Sequence, residues 1–192
     1  MKNVKLAQTA LLVGAALLVI TIGFTVALTG FKPKSEPQKD SAIKWMTFEQ
    51  AIKESQKNKK KVFIDVYTDW CGWCKKMDAT TFANPKIAAY VNQYFYAVKF
   101  NAEQKEPINF REREFKFIPN GQRGYHELAA ELMQGKLSYP TIVYLDKDLN
   151  LIQPIPGFQT PEAIEPIINF FGSDKYRSIS WEAFLAEFKS NL

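Results

Sequence analysis

An apolar, β-branched run, Val62-Phe63-Ile64-Asp65-Val66-Tyr67, leads within a few residues into Trp70-Cys71-Gly72-Trp73-Cys74-Lys75, and helical spacing follows. The run predicts a strand, so both cysteines fall where a strand hands over to a helix. They are the only two cysteines in 192 residues, so the chain has no disulfide framework and one pair at most. A Cys-x-x-Cys pair at such a junction points to thiol–disulfide chemistry. Its rival is metal binding. A structural zinc site takes about four ligands, and this chain offers two cysteines and His126 as its one histidine. Zinc would therefore have to be shared between two copies, and no metal is expected.

Upstream, Lys2 and Lys5 are the charges of residues 1–8, and residues 9–31 carry none. A helix of about 20 apolar residues spans a bilayer core. Lysines before it favour a cytoplasmic amino terminus with the remainder exported. The expectation is a transmembrane anchor over 9–31, the chain beyond it lying on the periplasmic side of the inner membrane. A cleaved signal peptide, giving a secreted form, is the alternative, although its apolar core is usually shorter. Residues 32–44 follow as a linker, Pro- and charge-rich up to Ser41. Net charge is +5 with a pI of about 9.1. The densest basic run, Lys57–Lys61, reads as a solvated helix end. No nucleic-acid-binding motif accompanies the charge, so nucleic acid is not an expected partner.

The exported part alternates helix and strand. Thr47 and Gln50 form a capping box for a helix with Phe48, Ala51 and Ile52 on one face. Asn84-Pro85 opens another helix, and residues 95–100 read as a second central strand. Residues 108–111 and 115–118 look like one small hairpin, with a helix expected over 124–134. Pro140 leads into a strand at Ile142–Leu145, Leu151–Ile155 pairs back as an edge strand, and Thr160 caps a helix running to Phe171. Ser180 caps a last helix over 181–188, with Trp181, Phe184, Leu185 and Phe188 on one face.

Two charges stand out inside these strands. Asp65 sits in a strand apolar on both faces; burial raises a carboxyl pKa, which suits a proton acceptor working near neutral pH. A strand-end aspartate bonded to backbone is the plainer alternative. Lys99 lies in another apolar strand and needs an acid, and Asp65 on a neighbouring strand is its natural partner. His126 is expected to lie at the surface or to pack, rather than to catalyse.

In this order the elements resemble the thioredoxin fold over roughly residues 45–172. The resemblance rests on Ile64-Asp65 with Trp70-Cys71-Gly72-Trp73-Cys74-Lys75, on Val98-Lys99-Phe100-Asn101, on Tyr139-Pro140-Thr141 and on Gly157. The active-site form looks like that of exported relatives of the carboxy-terminal domain of the membrane disulfide reductase. The resemblance implies an α/β, thioredoxin-like fold: a central mixed sheet flanked by helices, with residues 102–124 as a hairpin insertion and 173–192 as an additional helical extension. It implies a Cys71–Cys74 disulfide, with Cys71 attacking, Cys74 resolving, and Asp65 and Lys99 serving the proton transfer. Trp70, Gly72, Trp73, Tyr139, Pro140 and Thr141 would bind substrate, Pro140 in the family's cis-proline loop leaving the Tyr139 and Thr141 backbone free to pair. Protein thiols and disulfides are the implied substrates, a membrane electron donor a further partner, and no cofactor is called for. Trp73 stands where thioredoxins carry proline, so their potential does not transfer. The buried acid and the tether favour a reductase over an oxidase or isomerase; a binding or chaperone module on the same scaffold is the other alternative.

Overall fold

The computed structural model describes residues 42–192. Its centre is a five-stranded sheet in the order β1-β3-β2-β8-β9, formed by Trp45–Met46, Phe95–Asn101, Lys61–Tyr67, Thr141–Leu145 and Leu151–Pro156. The first three run parallel; β8 is antiparallel to β2, and β9 to β8. β1, only two residues long, has no expected counterpart in the sequence reading, because so short a strand carries no periodicity to detect. The parallel connections need crossovers. Helix α1 (Phe48–Lys57) joins β1 to β2, and α2 (Gly72–Thr80) and α3 (Pro85–Tyr94) join β2 to β3.

Strand side chains alternate between two faces, and the two cores follow that alternation. Val62, Ile64, Val66, Val98, Phe100, Val143 and Leu145 face one core with Phe48 and Leu128. Phe63, Phe95, Ala97, Ile142 and Tyr144 face the other with Met77, Ile87, Val91 and Ile168. Asp65 is two residues from Phe63 and Lys99 two from Ala97, so both charges point to this second face, under α2. Parallel register sets Asp65 opposite Lys99.

The local signals behave as their chemistry dictates. Thr47 and Gln50 form the full capping box. Asn84 caps α3 with Pro85 in its first turn, and Thr160 caps α5 (Pro161–Gly172). The C-terminal segment folds back on α5. In α6 (Trp181–Glu187), Trp181 and Phe184 pack edgewise and tilted on Phe170, whereas Leu185, expected on the same face, is exposed. The buried Glu165 carboxylate accepts from Ser190 Oγ at 2.5 Å and Asn191 N at 2.7 Å.

The insertion departs from the expected single hairpin. Two hairpins form: β4 (Ile108–Phe110) with β5 (Arg113–Phe115), and β6 (Phe117–Asn120) with β7 (Arg123–His126). The first closes through Arg111 and Glu112, both at positive φ (51° and 62°), in a turn that glycine or asparagine ordinarily signals. Lys116 divides the two because Glu127 holds it from both sides: Lys116 N donates to the Glu127 carboxylate at 2.7 Å, and Glu127 N donates to the Lys116 carbonyl at 2.9 Å. The helix expected over 124–134 consequently begins only at Glu127, as α4 (Glu127–Leu132), since Gly124–His126 is spent on β7. His126 is buried and caps α4: its Nδ1 accepts from Leu128 N at 3.2 Å, and Nε2 lies 3.2 Å from the Glu106 carbonyl. Burial pushes its pKa down, in keeping with a packing role.

Gly124 is tightly enclosed in the β6–β7 pair. A Cβ there would sit 2.2 Å from the Phe117 ring and 2.4 Å from the Ile118 carbonyl oxygen. The carbonyl belongs to a paired strand and cannot swing aside. Gly124→Ala is therefore expected to destabilise the protein by about 1–3 kcal/mol, as overpacking does; an unchanged urea midpoint would show that the hairpin yields freely.

Among the described residues no helix is long and apolar enough to cross a membrane. The anchor expected over 9–31 lies outside the described residues, as does the linker up to residue 41.

Candidate functional site

Cys71 and Cys74 form a disulfide, with a Cα–Cα separation of 5.3 Å. Cys71 is the N-cap of α2, and Cys74 N–H donates to Cys71 Sγ at 3.0 Å. The first amides of a helix have no intrahelical acceptor. Together with the helix dipole they favour negative charge on a sulfur placed there. Both cysteines are buried, but the two tryptophans beside them are not: Trp70 is 49% and Trp73 57% exposed. Gly72 is exposed between them. The tryptophans thus flank the buried disulfide as an exposed aromatic rim.

Each tryptophan is held from several sides. Trp70 Nε1–H donates to the Glu103 carboxylate at 3.0 Å. Its ring meets Tyr139 edge-on at 5.9 Å, and the Arg123 guanidinium lies 4.2 Å from its centroid. Trp73 packs on Phe158 at 5.4 Å, with Lys76 Nζ 4.8 Å from the Trp73 centroid and 5.3 Å from that of Phe158. Two of these supports, Glu103 and Arg123, come from the 102–124 insertion. Sequence patterning gave no signal for either, because nothing local to a hairpin records which distant ring it touches.

The peptide bond between Tyr139 and Pro140 is cis. Pro140 is buried and its carbonyl accepts from Gly157 N at 2.8 Å, the glycine sitting at φ 92°. Tyr139 is half-buried beside Trp70. Thr141 is placed otherwise than expected. It pairs with Val66 on one side and Pro156 on the other, is buried, and donates its hydroxyl to the Ser138 carbonyl at 2.7 Å. The sheet takes up Thr141, so the open edge of this loop is Tyr139.

Beneath α2 lies the charged group of the site. Asp65 is 1% exposed. Its Oδ2 accepts from Lys99 Nζ at 2.5 Å, while its Oδ1 has no protein partner. Lys99 also donates to Asp78, which lies four residues beyond Cys74 on α2 and so on the same helix face. Asp78 was not among the expected site residues; its spacing from Cys74 is the signal that could have found it. Burial raises the Asp65 pKa from 3.8 to about 6, against the pull of Lys99 and with a further push from Asp78. Burial works against the Lys99 ammonium, but the two carboxylates outweigh it and its pKa is raised. Lys99 also faces the rings of Tyr67 (4.8 Å) and Trp45 (5.2 Å). A hollow of about 440 Å³ lined by Ile43, Trp45, Asp78, Phe82 and Lys99 opens this group to the surface. Among the described residues, no three of His, Cys, Asp and Glu are grouped so as to hold a metal ion.

A redox-type disulfide at a helix start, a proline-led loop and a buried carboxyl on a mixed sheet define a thiol–disulfide oxidoreductase. The chain belongs to the thioredoxin-like domain family, whose model matches residues 48–172. Its fold is similar to a thioredoxin-fold protein from Helicobacter pylori, at 18% identity and a TM-score of 0.53, over 67% of this chain and 84% of that one. It is similar also to a thioredoxin from Thermus thermophilus, at 16% identity and a TM-score of 0.51, over 68% and 87% of the two chains. A Caenorhabditis elegans protein, "Uncharacterized protein B0495.5", is 25% identical over 119 residues; the match takes in 62% of this chain but only 14% of that protein's length.

Proposed function

We propose that this protein is an extracytoplasmic thiol–disulfide reductase acting on exported proteins, tethered to the inner membrane through residues 9–31. The observation that carries the chemistry is the Cys71 sulfur at the α2 N-cap, accepting the Cys74 amide at 3.0 Å. In the reduced protein the same amides would stabilise a Cys71 thiolate. That thiolate attacks a substrate disulfide: a Cys71–substrate S–S bond forms, the substrate S–S bond breaks, and one substrate sulfur leaves as thiolate. Cys74 then gives its proton to the Asp65 carboxylate and attacks Cys71 Sγ. The Cys71–Cys74 bond forms, the mixed disulfide breaks, and the second substrate thiolate leaves. Asp65 suits this step because one oxygen is held by Lys99 and the other is without a protein partner. Lys99 and Asp78, at the wall of the open hollow, offer the proton a way out. Trp70, Gly72, Trp73, Tyr139 and Pro140 form the surface an incoming chain meets, with Thr141 fixing the loop from within the sheet.

The reductive direction is supported by the buried carboxyl, which favours deprotonating a resolving thiol, and by the tether, which would keep the protein near a membrane electron donor. Such a donor is needed because an exported dithiol sits in an oxidising compartment. Placement outside the cytoplasm is supported by the uncharged run after Lys2 and Lys5. Equilibration with glutathione tests the direction. A potential near that of thioredoxin, about −270 mV, is expected; one near −120 mV would make the protein an oxidase.

A further inference from the structure

Both exposed tryptophans beside the disulfide carry a cation on their faces, and neither cation has a carboxylate. Arg123 lies on Trp70 and Lys76 on Trp73. Among the described residues neither side chain makes an ion pair or a hydrogen bond, and both residues are exposed. Some other surface cations are paired with acids, such as Lys57 with Glu54, Arg113 with Glu127 and Glu131, Lys116 with Glu114, and Arg177 with Asp146 and Asp174; Lys75 and Lys105, like Arg123 and Lys76, make no ion pair among the described residues. Two carboxylates lie by Trp70: Glu103 accepts from its indole N–H and Asp69 from Asn101 Nδ2 at 3.1 Å, and neither makes an ion pair with Arg123 or Lys76.

Arg123 is also held in place by its hairpin. It follows the two-residue turn Gly121–Gln122, with Gly121 at φ 60°, and precedes Gly124, whose close approach to Phe117 and Ile118 fixes the strand pair. The guanidinium lies over the indole at 4.2 Å from its centroid and makes no hydrogen bond, which leaves its N–H donors to an incoming acceptor. A ring beneath a cation does not neutralise its charge, so each stack remains a site for an anion.

We infer that Arg123 and Lys76 select protein partners bearing acidic side chains on either side of the reactive cysteine. An extended segment whose cysteine sulfur meets Cys71 would pass between Trp70 and Trp73, bringing its flanking residues towards the two cations. Carboxylates there pair with Arg123 and Lys76, while lysines there meet like charge. This deepens the reductase reading and rests on it for the meaning of the partner, but the recognition itself is a binding event.

The test uses synthetic peptides matched except at the residues flanking one cysteine: glutamate, glutamine or lysine on both sides. Binding is followed by tryptophan fluorescence on the oxidised wild-type protein, using peptides whose own cysteine is replaced by serine. Reduction is followed on the same peptides as glutathione mixed disulfides. An exposed charge pair contributes roughly threefold, so the glutamate peptide is expected to bind about tenfold more tightly than the glutamine peptide at low salt. The lysine peptide should bind least, and the differences should shrink at high salt. Arg123→Gln and Lys76→Gln should each remove about threefold of the glutamate preference. Equal binding of all three peptides, or preference for lysine, overturns the inference. Charge-selective binding with no reduction of any peptide leaves recognition standing and removes the reductase reading; reduction at equal rates with equal binding does the reverse.

Discussion

Cys71→Ser is expected to abolish the reduction of insulin disulfides by dithiothreitol that the wild-type protein accelerates, lowering the catalysed rate to that of dithiothreitol alone. The reason lies at the start of α2. Serine can cap the helix as well as cysteine sulfur does, so the variant should fold, but its oxygen cannot exchange with a disulfide. Cys74 cannot stand in for the lost nucleophile. It is the third residue of α2, buried at 2% exposure, and its own amide points at the Cys71 sulfur. Cys74→Ser should give a different phenotype, capturing substrate at Cys71 and releasing it only when external thiol arrives. Unaltered turnover in Cys71→Ser would remove the proposed chemistry from this pair altogether.

Asp65→Asn is expected to make the protein more stable and less able to resolve a mixed disulfide. An aspartate free in an unfolded chain titrates near 3.8, and in the fold Asp65 titrates near 6. The folded state therefore binds more protons between those values, and the Asp65 contribution to stability falls as pH rises through this window, then stays level above it. The difference corresponds to about 3 kcal/mol at neutral pH. Part of it is lost in the variant, because Lys99 keeps only Asp78 as a partner. A gain of about 2 kcal/mol at pH 7 that vanishes near pH 4 is the expected result in paired urea titrations. A variant less stable than wild type at pH 7 would mean that the Lys99 ion pair outweighs the cost of burying the carboxylate. In the same variant, release of substrate from Cys71 should slow by about 100-fold or more near neutral pH, and the pH dependence near 6 should disappear.

The two effects share one origin, since the feature that makes Asp65 a base near neutrality also makes it costly to the fold. A mixed sheet with Asp65 and Lys99 in register under α2 holds that cost in place. This much was legible in the chain. Strand alternation put Asp65 among apolar neighbours, the lysine in a second apolar strand required an acid, and the caps at Thr47 and Thr160 and the helix-opening Pro85 announced their helices. The insertion was not legible, for identifiable reasons. Its first turn runs through Arg111 and Glu112 at positive φ, where no turn residue gives warning, and its division at Lys116 depends on a carboxylate eleven residues away. Thr141 was misplaced for a related reason: the loop motif suggested an open backbone, and the strand pairing that occupies it is a tertiary fact. Asp78, Glu103 and Arg123 escaped notice because their importance lies in contacts with Lys99 and Trp70 across the fold.

The central claim is that Cys71 is the sulfur that meets substrate and Cys74 the one that frees it. Mass spectrometry after mixing with a disulfide-bonded protein tests this directly, using reduced Cys74→Ala and reduced Cys71→Ala side by side. A stable mixed disulfide mapped to Cys71 in the first variant, with little or none at Cys74 in the second, is the predicted result. Equal trapping in both variants, or trapping at Cys74 alone, would contradict the account.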